Sequence, residues 1–207
     1  MYKTINFKHD KVIIIGGGES LKGFDFSRLN NFAGAIKAVN RTIDHIPRAD
    51  YWITIDTAWN WPGQLNKMPH CYYFVGVPAE KFEQYKHVSA HLLLRVQYFT
   101  ENKNEITGGN SAYAALNLAY HLGAKQVLLL GIDACGLGHW HPDGGLLFND
   151  CPKANAQIEN LPSLFERCVE KFQEKSATVV NGSPISKISC FPKLNIDDAL
   201  SWLGVRS

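Results

Sequence analysis

With 207 residues, 45% of them apolar, and a net charge of +2, the chain has enough material for one well-buried domain. It lacks the strong basic field of a dedicated nucleic-acid binder. No apolar run approaches membrane-spanning length, and Lys3, Lys8, His9, Asp10 and Lys11 interrupt the first segment, so neither a secretory leader nor a transmembrane segment is expected and a cytoplasmic setting is. Cys71, Cys135, Cys151, Cys168 and Cys190 form an odd, scattered set without a CxxC pair, which suits reduced thiols.

In chain order, the first element is the short β-branched run at 11–15, which predicts a buried strand that breaks into Gly16, Gly17 and Gly18 and then Ser20. Three residues without a Cβ let a ligand come close, and the N–H groups of Gly17, Gly18 and Glu19 are expected to face an anion there. Nucleotide binding is therefore the first hypothesis, with a ligand-free strand-to-helix turn as the other reading of the same pattern. Further strands are predicted at 34–39, 50–55, 71–76, 91–97, 125–130 and 177–181. The spacing of Ala112, Ala115, Leu116, Ala119 and Leu122, stopped by Gly123, predicts a helix over 111–122. Others are expected at 156–175, weakly at 27–31, and at 197–203. Alternation of this kind predicts an α/β, Rossmann-like single domain over 1–207, a mostly parallel sheet flanked by helices. Residues 142–155, rich in Gly, Pro, Asp and Asn, mark a long loop within 134–155 that is expected to be mobile.

Polar residues or glycines fall at the ends of the predicted strands: the glycine turn after the first, Asn40, Asp56, Gly76, Asp133 and Asn181 after later ones. Open parallel sheets bind ligands outside the carboxyl ends of their strands, so the set would converge on one crevice. Turn chemistry explains any single member equally well. A dinucleotide fingerprint fits in part: Gly16 and Gly18 match GxGxxG, but Leu21 holds the third position and the amide Asn40 stands where an acidic ribose ligand belongs. A GxxxxGK[ST] phosphate loop is absent, because Lys22 follows Leu21.

The segments KVIIIGGGESLKGFDFSRL, AVN at 38–40 and ITGGNSAYAALNLAYHLGAKQVLLLGID at 106–133 together resemble bacterial sialyltransferases that use CMP-linked sugars. The same pattern is similar to a broader group with archaeal 6-hydroxymethylpterin diphosphokinase-like proteins and many phage proteins. This resemblance implies a Rossmann-like nucleotide-binding domain. It implies that Gly16, Gly17, Gly18 and Ser20 take the phosphate and sugar and that Asn40 faces the nucleotide or donor. Thr107, Gly108, Gly109 and Ser111 would then lie at the positive end of the following helix and attract a phosphate, although Ser or Thr before a helix is also ordinary capping. Asp133 and Asp56 are expected to hold a ribose hydroxyl, or a magnesium ion if one is used; no cofactor is required. The resemblance also places a histidine in the loop after the Gly-Ile-Asp strand, where this chain offers His139 and His141 in GHWHPDG, with Asp143 to orient one of them. Either imidazole has the chemistry to take a proton from an acceptor hydroxyl. Asn181 to Ser183 would floor a base pocket or form a plain turn.

Three functions compete on these residues. The leading one is a nucleotide-dependent transferase, most like a glycosyltransferase, taking a nucleotide-sugar donor and a hydroxyl acceptor: a glycan, a lipid-linked sugar or a modified nucleobase. Trp59, Trp61 and Lys67 offer an aromatic and basic surface for such an acceptor. The second is a diphosphokinase moving diphosphate from ATP to a small alcohol such as a pterin, which needs magnesium and several carboxylates. The third is a noncatalytic nucleotide-binding protein, of the kind phages encode. Aromatics near Trp59, Tyr72 and Tyr73 raise the expectation of a homodimer.

Overall fold

The computed structural model describes residues 9–56, 63, 65, 67–136, 138–141 and 152–205, with backbone alone at 152–158. Its centre is one all-parallel sheet. The strands are β1 (Lys11–Ile15), β2 (Ala35–Val39), β3 (Tyr51–Thr54), β4 (Tyr72–Val77), β5 (His91–Val96), β6 (Glu105–Thr107), β7 (Gln126–Leu130) and β8 (Thr178–Asn181). They lie in the order β6-β5-β4-β3-β2-β1-β7-β8. A parallel sheet is covered on both faces, which is why Val12, Ile13, Ile14 and Ile15 run without a polar interruption and are all fully buried.

The chain lays down β1 to β6 outward in one direction. Helix α1 (Ser111–His121) then crosses back and delivers β7 to the free side of β1. That reversal makes the carboxyl end of β1, between β2 and β7, the switch point where an open α/β sheet leaves a crevice. Val12, Ile14, Tyr51, Ile53 and Leu129 face α1 together with Phe165 of α2 (Pro152–Glu166) and Phe172 of α3 (Val169–Glu174). Ile13, Ile15, Trp52, Leu128 and Leu130 face the other layer, built from α4 (Ile196–Leu203) and short 3-10 turns. The single α/β sheet is the architecture that the alternating sequence predicts.

Several elements differ from their sequence-based forms. Strand β6, not among the predicted strands, is only three residues long and ends at Thr107, the first residue of the segment expected to cap α1. The helix expected over 156–175 is two helices, α2 and α3. Between them the Cys168 N–H and Sγ both turn back to the Phe165 carbonyl, at 3.2 and 3.1 Å. The helix expected over 27–31 is a 3-10 turn, Phe26–Leu29, capped by the Asp25 carboxylate. Gly76 does not follow β4 but lies inside it, where the side chains of Ile55 and Ile106 take the space of a Cβ. Within the loop expected at 134–155, residues 138–141 pack against the end of β1 and α2 begins at Pro152. Tyr73, expected exposed, is buried with its hydroxyl at the Met68 backbone, while Tyr72 remains 37% exposed.

Candidate functional site

The glycine turn meets protein. Gly16 N–H donates to the Leu130 carbonyl at 2.8 Å and Gly18 N–H to the Gly131 carbonyl at 2.7 Å, tying β1 to the end of β7. The Ser20 N–H and hydroxyl donate to the two oxygens of the Asp133 carboxylate at 2.8 and 2.6 Å. In this conformation a buried side-chain carboxylate therefore sits where the sequence reading expects a ligand anion, and the Gly18 amide is already spent. A Cβ on Gly18 would lie 2.5 Å from the Asp133 Cγ, so close approach of that carboxylate is one reason for glycine here. Asp133 thus joins Ser20 rather than standing open for a ribose or metal.

The second reason for glycine is a pair of histidines. A Cβ on Gly17 would overlap the His139 ring and lie 3.2 Å from His141 Nε2, so both imidazoles converge on this one α-carbon. Residues 138–141 are held there against the backbone of the glycine turn. Gly18 and His139 form an antiparallel bridge, the Trp140 N–H donates to the Gly17 carbonyl at 3.0 Å, and the indole Nε1–H donates to the Gly16 carbonyl at 2.9 Å. Burial lowers the pKa of His139 below its ordinary value, opposed by a hydrogen bond to the Gly17 backbone and by the Asp133 charge. The ring is therefore neutral at neutral pH and fit to accept a proton. His141, only 6% exposed, stacks on His45 with ring centroids 4.9 Å apart and planes 17° apart.

A second group lines the carboxyl ends of β2, β3 and β5. Asn40 occupies the left-handed region at φ 53°, a conformation asparagine tolerates better than most residues. Its carbonyl receives the Trp52 indole N–H at 2.7 Å, which fixes the backbone. Its Nδ2 donates to Asp56 Oδ2 at 3.0 Å, so the amide orientation is set by the network, and Oδ1 is buried without a hydrogen-bond partner among the described residues. Burial raises the Asp56 pKa, while Asn40 and the Arg95 charge oppose the shift. Arg95 Nη1 donates to the Ile55 carbonyl at 2.8 Å. The first turn of α1 closes this group: Ser111 Oγ accepts from the Ile55 N–H at 3.3 Å.

The helix cap is Asn110, not the expected Thr107 or Ser111. Its extended backbone and its Oδ1, accepting from Ala112 and Tyr113 N–H at 2.7 and 3.4 Å, make it the N-cap. Gly108 N–H is used by the Val96 carbonyl, and Leu164 of α2 lies where a Cβ on Gly109 would. The Thr107 N–H goes to Asn117 Oδ1, leaving its hydroxyl buried without a partner among the described residues. Asn181 to Ser183 form a buried turn in which Asn181 Oδ1 accepts from the Ser183 N–H at 3.0 Å.

The structure thus brings Gly16, Gly17, Gly18, Ser20, Asp133, His139 and His141 together at β1, and Asn40 and Asp56 at the neighbouring strand ends. Trp59, Trp61, Asp143 and Cys151 lie outside the described residues. Asp56 and Asp133, the two expected magnesium ligands, are each engaged by protein donors, and among the described residues no three His, Cys, Asp or Glu side chains gather as a metal site. No described helix is long and apolar enough to cross a membrane. Three residues of the site carry no motif in the sequence: His45, Trp140 and Arg95. Only Trp140 has a local signal, standing between the two histidines of GHWH. No family model matches the chain, and no curated protein matches it.

Proposed function

We propose that this protein is a nucleotide-dependent transferase, most like a glycosyltransferase, working at the carboxyl ends of β1, β2 and β3. The observation that carries the reading is the convergence of two imidazoles on Gly17 at the switch point, beside a strand end bearing the left-handed Asn40. A buried carbonyl oxygen without a donor is costly, on the order of 1–3 kcal/mol, unless something supplies one. Asn40 Oδ1 therefore asks for an O–H or N–H, which a ribose hydroxyl or a base amine has and a phosphate lacks.

In the reaction, the acceptor hydroxyl gives its proton to the imidazole of His139 or His141. The oxygen then bonds to the sugar carbon while the bond from that carbon to the nucleotide phosphate oxygen breaks, and the electron pair leaves with the phosphate. Negative charge growing on that oxygen is favoured at the amino end of α1, on the same edge of the sheet. A general base placed within hydrogen-bond reach of the acceptor hydroxyl contributes roughly a hundredfold or more to the rate.

Thermal melts with CMP, CDP, UDP, GDP, ADP, ATP and their sugar conjugates, with and without magnesium, test the binding half. A ligand at 100 times its Kd adds about 2.7 kcal/mol. Stabilisation by a nucleoside mono- or diphosphate or its sugar conjugate without magnesium supports sugar transfer. Stabilisation only by ATP with magnesium turns the reading to diphosphate transfer, and no shift with any nucleotide removes it.

A further inference from the structure

His45 closes the 3-10 turn that Asn40 opens, Asn40–Asp44, so its ring is carried on the same short segment as the proposed donor contact. It reaches across to the loop after β7. Its imidazole lies against the face of His141 at 4.9 Å and 17°, and meets the Trp140 indole edge-on at 5.8 Å and 76°. Trp140 in turn stands perpendicular to His141, at 5.3 Å and 89°, and is pinned by its indole hydrogen bond to Gly16 and by Phe26 at 4.7 Å. His141 is thereby boxed: one ring stacks on it, a second bounds it edge-on, and His139 stands 5.2 Å away.

We infer that His45 is a positioning residue for His141. It sets the plane and rotamer of that imidazole by stacking, and it couples the turn that would read the donor to the ring that would take the acceptor proton. A catalytic side chain must be held within about 0.5 Å and 10–20° of its productive pose by packing from its neighbours. A parallel aromatic face does this for a ring that would otherwise rotate about χ2, since terminal sp³–sp² torsions are broad. The part of this inference that concerns turnover rests on the transferase reading; the part that concerns ring geometry does not.

The test pairs two variants. His45→Ala removes the stack and His45→Phe keeps an aromatic face without an ionisable ring. First, the imidazole carbon-bound proton resonances of His141, assigned by comparison with His141→Gln, are read in the ligand-free protein. The expected result is a ring-current displacement of several tenths of a ppm in His45→Ala that is largely restored in His45→Phe. Second, if a nucleotide-sugar substrate has been found, kcat is expected to fall about tenfold in His45→Ala with donor KM changed less than twofold, and to recover in His45→Phe. Unmoved His141 resonances in His45→Ala overturn the positioning role, whatever activity is found. Moved resonances with kcat unchanged overturn the coupling to turnover. Absence of any nucleotide binding or transfer in the wild-type protein sinks the transferase reading and leaves the resonance test of the His45–His141 stack standing on its own.

Discussion

Lys37 offers the sharpest test of how this sheet is built. It lies in the middle of β2, is 0% exposed, and its Nζ has no hydrogen-bond partner among the described residues; the ammonium position is 5.5 Å from the centre of the Tyr51 ring. Burial alone holds its pKa well below the ordinary lysine value. Methionine has nearly the same length and flexibility and carries no donor, so Lys37→Met should fill the same space and remove the cost of a buried unpaired amine, about 1–3 kcal/mol. For a chain of this size each kcal/mol is worth about 2–4 °C, so near pH 10, where little of the cost of neutralising the amine remains, the variant should melt about 6 °C higher, and by more at neutral pH. The pH dependence carries the sign. Between the depressed folded pKa and the unfolded value near 10.4, the unfolded chain binds the extra proton, so wild-type stability is complete only above that upper limit. It falls as pH drops through the window, by up to about 1.4 kcal/mol per unit. Lys37→Met should lack this component, so the difference in melting temperature between variant and wild type should shrink steadily from pH 7 to pH 10. Scanning calorimetry across that range decides it. A variant less stable than wild type, or a difference that does not change with pH, would show that the amine is charged and partnered, and would refute the reasoning.

Asp133→Ala should unfold about 2–4 kcal/mol more easily, because two hydrogen bonds to a carboxylate from Ser20 are lost and the turn after β1 is left uncapped; urea titration measures it. Gly17→Ala should push His139 and the Trp140 loop off β1, since a methyl group there overlaps the His139 ring, and the indole emission should shift to the red. Under the transferase reading, His139→Ala and His141→Ala should each lower turnover while nucleotide melting shifts persist, and unchanged turnover in the double variant would remove histidine from the mechanism. If His139 is the base, its burial keeps it deprotonated below the usual histidine range, so the acid limb of kcat/KM should fall at a pH under 6.5, and a limb at or above that value would argue against His139.

Much of this protein was fixed by local chemistry. Uninterrupted β-branched runs can only be buried on both faces, and their alternation with helical spacing dictates a parallel α/β sheet, so seven of the strands and the helix at 111–122 are legible in the chain. The glycine triplet is also visible as a signal of close approach, and the two histidines as a local pattern. What approaches the glycines is not legible, because it depends on which distant segment arrives there. Only the crossing of α1 over the sheet sets β7 beside β1, which brings Asp133 to Ser20 and both imidazoles to Gly17. Likewise nothing near residue 45 marks a histidine of this cluster; its ring meets His141 because the turn after β2 ends opposite a distant loop. Periodicity reports which face of an element is buried, whereas the choice of partner across a crevice is a long-range contact that only the assembled sheet specifies.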